Sequence, residues 1–147
     1  MSLFDTNRPN DDLSGALSWI KKAQFPAKYY PDGFTNDLTA AGSIYHRPTN
    51  TATPVLQLST ASVSFAGGNL PSDFSNQITI APNNKVTNTS TNKLTLGFAP
   101  ATGLFTGSVT PPSLIRAYSF RGAVLQKVNA GYGYLIGTNQ TSSVLIQ

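Results

Sequence analysis

The sequence predicts an all-β domain: an antiparallel meander of about nine or ten short strands wound into a closed or nearly closed barrel, with a two-sheet sandwich as the alternative. Three observations carry this. Apolar residues alternate with polar ones at a period of two. Gly, Pro and Thr-Asn pairs (Thr35-Asn36, Thr87-Asn88, Thr91-Asn92, Thr138-Asn139) interrupt the alternation every few residues, and Asn and Gly tolerate the backbone angles of turns. Glutamate, a strong helix former, is absent. Short links favour antiparallel pairing, and closure removes exposed edges.

Residues 1–12 read as a linker or extended lead, with residues 13–147 forming one domain. Asp11-Asp12-Leu13-Ser14 has the composition to cap a short helical turn. A strand is expected over Gly15–Ile20, and Tyr29-Tyr30-Pro31-Asp32-Gly33 then places a turn behind an aromatic pair. Gly42–His46 and Val55–Ser59 read as strands. Ala61–Ala66 is the expected hairpin partner of the latter, ended by Gly67-Gly68. Gln77–Ile80 and Lys85–Thr89 flank an Ala-Pro-Asn-Asn turn.

The clearest unit is Lys93–Thr110. Leu94, Leu96 and Phe98 share one face, Pro100–Gly103 turns the chain, and Phe105, Gly107 and Val109 return on the same face. Phe98 and Phe105 are therefore expected in the core. Arg116–Gln126 carries Tyr118, Phe120, Gly122 and Val124 on one face, and Lys127–Gly131 turns the chain again. Tyr132, Tyr134 and Ile136 share a face of the next strand. Ser143–Gln147 is a terminal strand tied into the sheet.

Charge and composition restrict the chemistry. Through Asp73 there are five bases and six Asp; beyond it there are five bases and no acid. The five are spread out, which suits a solvated surface better than the clustered bases of a nucleic-acid binder. Cysteine is absent, which excludes thiol catalysis, disulfides and Cys-based zinc sites. No stretch approaches the roughly 18 apolar residues of a membrane-spanning helix. Met1–Asn7 has neither the basic nor the apolar region of a secretory signal. Either the protein is cytosolic or the chain is a piece of a longer exported one. Few charges and abundant Thr, Ser, Asn and Gly favour the second, an extracellular or cell-surface setting.

Several phrases occur in a recognisable order: Gly15-Ala-Leu-Ser-Trp19, Tyr29-Tyr-Pro-Asp-Gly-Phe-Thr-Asn36, Asn92-Lys-Leu-Thr-Leu96, Thr102-Gly-Leu-Phe-Thr-Gly-Ser-Val109, Phe120-Arg-Gly-Ala-Val-Leu-Gln126 and Gly131-Tyr-Gly-Tyr-Leu-Ile-Gly-Thr-Asn-Gln140. Over residues 13–147 the chain resembles uncharacterised β-rich modules near the C-termini of large exported bacterial proteins. Such modules are often preceded by immunoglobulin-like or other β domains. Pro111-Pro-Ser-Leu-Ile115 departs from the more polar turn of that pattern. The resemblance implies a modular extracellular role, with other domains of the same chain as partners. It supplies no catalytic residues to carry over.

The candidate chemistry is sparse. His46 is the only histidine and no Gly-x-Ser-x-Gly elbow is present, so His46 reads as a partly buried structural imidazole. The six Asp lie mostly in expected turns, where local hydrogen bonding explains them. Asp5-Thr-Asn7-Arg-Pro-Asn10-Asp11-Asp12 offers oxygen ligands but has Pro at the fifth position of an EF-hand loop, so it reads as a solvated linker. No cofactor or metal is expected.

The candidate ligand-binding residues are aromatic, with one base: Trp19, Tyr29, Tyr30, Arg121, Tyr132 and Tyr134. Rings stack on sugars and on bases. The primary expectation for Tyr132 and Tyr134 is core packing, with a stacking surface as the alternative. For Tyr29 and Tyr30 it is plugging one barrel end, with a glycan platform as the alternative. The expected function is a non-enzymatic structural or interaction unit. Binding of a glycan or small apolar ligand is second and single-stranded nucleic acid third; nucleic acid is not an expected partner.

Overall fold

The computed structural model describes residues 7–50 and 52–147. It contains ten strands: β1 (Leu13–Lys21), β2 (Phe34–Gly42), β3 (Thr60–Ala66), β4 (Phe74–Ile80), β5 (Val86–Asn88), β6 (Leu94–Ala99), β7 (Leu104–Val109), β8 (Tyr118–Leu125), β9 (Ala130–Ile136) and β10 (Thr141–Ile146). The one helical segment among the described residues is a single 3-10 turn, Gln126–Val128.

β3 to β10 form an eight-stranded antiparallel sheet in the order β5-β4-β3-β10-β9-β8-β7-β6. The terminal strand β10 pairs with β3, so the meander curls until β5 and β6 approach each other, and the sheet is nearly closed into a barrel. Side-chain amides bridge the remaining seam. Buried Asn76 donates from Nδ2 to Asn88 Oδ1 at 3.2 Å and to the Asn92 carbonyl at 3.1 Å. Asn88 Nδ2 reaches the same carbonyl at 2.6 Å. These bonds join β4 and β5 to the residues entering β6 where the ladder is missing.

The two-residue period sorts the side chains. Val63 and Phe65 on β3, Ile78 and Ile80 on β4, Phe105 and Val109 on β7, Phe120 and Val124 on β8, Leu135 on β9, and Val144 and Ile146 on β10 fill the interior. Ser62, Ser64, Gln77, Thr79, Thr106, Ser119, Thr141 and Ser143 occupy alternate, outward positions. A dry interior under a hydroxyl-rich outside is the reverse of the transmembrane-barrel pattern. A chain of rings crosses the core, with centroid separations of 6.2 Å for Phe98–Phe105, 6.4 Å for Phe105–Phe120, 5.2 Å for Phe120–Phe65 and 4.8 Å for Phe65–Phe74.

The second half follows the sequence pattern closely. Phe98 pairs with Phe105 and Leu96 with Gly107, and Gly103 at the turn has φ +72°. The first half departs from it. The second strand is Phe34–Gly42, not Gly42–His46, and it pairs with β1 in a separate two-stranded ribbon. Residues 55–59 are not a strand and are not the partner of β3, which pairs with β4 and β10. Val55 and Leu56 still enter the core. Side-chain amides replace the ladder there. Asn84 Oδ1 accepts the Val55 N–H at 2.7 Å, and Asn129 Oδ1 accepts the Gln57 N–H at 2.7 Å. Both Asn residues have positive φ, 65° and 50°, which turns the amides toward this segment. Val55 and Leu56 are buried as in a strand, but the segment's hydrogen-bond partners are distant side chains.

Asp11-Asp12 caps no helical turn. The chain goes directly into β1, and Asp12 is buried beside the β8–β9 turn. Its Oδ1 lies 2.5 Å from Lys127 Nζ and its Oδ2 accepts the Ile44 N–H at 2.7 Å. Lys127 also donates to the Arg8 carbonyl at 2.8 Å. The hydrogen bond from Lys127, then that from the Ile44 N–H, holds the Asp12 carboxyl below its ordinary value of 3.8. The clasp is therefore fully present above about pH 4 and is lost as pH falls through the lower folded-state value. The stability difference between parent and Asp12→Asn should shrink from pH 7 to pH 3 in thermal melts. An unchanged difference would mean that the carboxylate charge contributes nothing.

Candidate functional site

The ribbon is tied at both ends to turns flanking β9. Its base is fixed by Asp12 and Arg8 on Lys127, ahead of β9. Near its far end, the Tyr30 N–H donates to the Thr138 carbonyl at 2.7 Å, and the Tyr30 and Thr141 hydroxyls share a hydrogen bond, just beyond β9. β9 has seven residues, about 23 Å at roughly 3.3 Å per residue, so the ribbon spans that flank of the barrel. Trp19 packs edge-on to Phe34 at 5.5 Å, and Phe34 packs on Tyr30 at 5.0 Å.

This corrects the plugging expectation for Tyr29 and Tyr30. Tyr30 docks on the outside, at the β9–β10 turn. Tyr29 is half-buried with the Lys28 ammonium 5.1 Å from its ring centre. The ring that packs over the β6–β7 turn is Tyr45, which lies against Gly103 and donates its hydroxyl to the Pro100 carbonyl at 2.7 Å. Burial raises the Tyr45 phenol above its ordinary value. His46 is also corrected. Its side chain is exposed, and its main-chain N–H and carbonyl are the groups engaged, both by the Gln126 amide.

Tyr132 and Tyr134 are not core residues. They are 50% and 43% exposed, on the outer face of β9. The inward positions belong to Gly131, Gly133 and Leu135. Pairing decides this: β8 aligns Val124 with Gly131, Gly122 with Gly133 and Phe120 with Leu135. The ring of Phe105 occupies the space that a Cβ at Gly122, Gly131 or Gly133 would need. A period of two fits either face, and the choice came from Phe105 on another strand.

Cross-strand register assembles the outer face. One row runs Gly97, Thr106, Arg121, Tyr134, Ser143. The next runs Ala99, Leu104, Ala123, Tyr132, Leu145. Thr141, which holds Tyr30, points to the same side as Ser143. Arg121, Tyr132, Tyr134 and Tyr30 thus lie on one continuous surface, with Trp19 joined through Phe34. Arg121 is exposed, and its guanidinium has no ion-pair or hydrogen-bond partner among the described residues. Beside it is a shallow groove of about 450 Å³ lined by Thr95, Gly97, Thr106, Gly107, Ser119 and Arg121, among others. Sequence reasoning missed Phe34, Leu104 and Thr141. For Leu104 the signal was present, because it alternates with Phe105 and so had to point outward.

Three further acids, besides Asp12, have partners. Asp11 pairs with Arg8 at 2.9 Å, Asp37 accepts from Ser18 at 2.5 Å, and Asp73 accepts the Gly67 N–H at 2.9 Å. Asp5, part of the candidate calcium segment, lies outside the described residues. Among the described residues no group of three or more His, Asp, Glu or Cys could hold a metal ion, and no helix is long and apolar enough to cross a membrane. No family model, curated protein or solved structure matches the chain.

The outer aromatic residues should be dispensable for folding. Tyr132→Ser combined with Tyr134→Ser is expected to leave the melting temperature within a few degrees of the parent, since exposed substitutions cost about 0.5 kcal/mol or less. A drop above about 10 °C, corresponding to a loss of several kcal/mol at this size, would make them packing residues.

Proposed function

We propose that the chain is a non-enzymatic extracellular β module, a structural or interaction unit of a larger exported bacterial protein, and that it works through its outer surface. One observation carries the second part. The barrel interior is occupied by its own rings, Phe65, Phe105 and Phe120, while Tyr132, Tyr134 and Trp19 stand exposed around it. A ligand inside the barrel would have to displace packed side chains, whereas a partner outside meets ready apolar area. The partners held by Asp11, Asp12, Asp37 and Asp73 support a reading without acid–base catalysis. The low charge and the resemblance to modules of exported proteins support the extracellular setting.

An antibody against the chain tests this directly. It should label intact cells or culture medium of the producing organism, and detect a polypeptide well above 15.6 kDa. A cytosolic band at the size of this chain alone would overturn the reading.

A further inference from the structure

We infer that the outer face of β6 to β9 binds an extended acidic polysaccharide, with Arg121 on a sugar carboxylate and Tyr132 and Tyr134 against sugar rings. This rests on the reading of the module as one that works through its outer surface.

The charge of the face selects the ligand. Residues 74–147, which supply every strand from β4 to β10, contain no acid. Arg121 sits mid-row between Thr106 and Tyr134, and its guanidinium has no partner among the described residues. A free guanidinium offers two parallel N–H donors that match a carboxylate. On one side of Arg121 the groove presents the hydroxyls of Thr95, Thr106 and Ser119. A Cβ at Gly97 would meet nothing within 4 Å, so the β6 side of this face is open. On its other side Tyr132 and Tyr134 are two residues apart on the same face, about 6.6 Å at roughly 3.3 Å per residue. Neutral hydroxyls, one cation and exposed rings match a polymer with several hydroxyls and one carboxylate per acidic unit. A single-stranded nucleic acid carries a charge on every nucleotide and is held by a track of bases. Here Arg121 is the one base within these strands, with Lys93 at the margin before β6, which is not a track.

The test is affinity electrophoresis of the whole chain at low salt through gels containing polygalacturonate, alginate or hyaluronate, with dextran as the neutral polymer and poly(dT) as the nucleic acid. At least one acidic polysaccharide should retard the protein, and dextran should retard it less. Arg121→Ala should weaken that retardation about tenfold, the worth of a charge-assisted pair, and Tyr134→Ala should weaken it several-fold. Lys85→Ala, on the β4–β5 turn and outside β6 to β9, should leave it unchanged. The inference is overturned if none of the three acidic polymers retards the chain, if poly(dT) binds as tightly as the best of them, or if Lys85→Ala costs as much as Arg121→Ala. If the tyrosine double variant keeps its stability while no acidic polymer binds, the ligand class alone is wrong. If that variant unfolds, the outer-surface reading falls with it.

Discussion

Phe105→Ala should destabilise the protein by about 3–5 kcal/mol, at the level of other fully buried rings. The ring is 1% exposed. It lies over backbone at Gly122, Gly131 and Gly133 and touches the core rings on either side. Truncation leaves a cavity whose floor has no side chains to move inward, and two paired strands cannot follow it. The cost should therefore lie toward the upper end of that range. Phe98→Ala should cost less, because Phe98 is half-buried on β6, the strand at the open seam. Equilibrium unfolding in urea measures both. A loss below about 1 kcal/mol for Phe105→Ala would remove the ring from the core.

Gly122→Ala should lower stability by about 1–3 kcal/mol, the usual penalty of overpacking. Strand propensity predicts the opposite sign, since alanine costs less chain entropy than glycine. Sterics decide it. A Cβ at Gly122 would stand 2.2 Å from the Tyr132 carbonyl oxygen and 2.4 Å from Phe105 Cζ, and neither a paired backbone nor a packed ring yields cheaply. Gly97→Ala is the matched opposite. It lies in a strand of the same sheet, but its Cβ meets nothing within 4 Å. A gain of about 0.5–1 kcal/mol is expected there. Equal effects at the two positions would show that propensity, not the bed beneath Phe105, governs these glycines.

Legibility differed between the two halves for a physical reason. β6 to β10 pair in chain order and three of their four links are four-residue turns, so each strand's alternation is read against its neighbour's. Leu96 opposite Gly107, and β10 beside β9, follow from that, whereas the pairing of β10 with β3 is long-range and does not. The segment around Val55 and Leu56 has the apolar content of a strand, but Asn84 and Asn129 satisfy it from far along the chain. The candidate site was half legible. Its aromatic residues and Arg121 were visible as residue types. Their common surface was not, because Tyr30 reaches it only through Thr138 and Thr141.

Amino-acid order alone determined that this chain is all-β, where most of its turns fall, and which hairpin faces are apolar. Those properties depend on neighbours a few residues apart. The tertiary structure decided which face of β9 turns inward, that β1 and β2 leave the barrel to form a ribbon, and that Tyr30, Arg121, Tyr132 and Tyr134 share one outer surface. Each of these depends on the volume and hydrogen bonds of side chains remote in sequence, above all the Phe105 ring that claims the glycine positions and leaves the tyrosines outside.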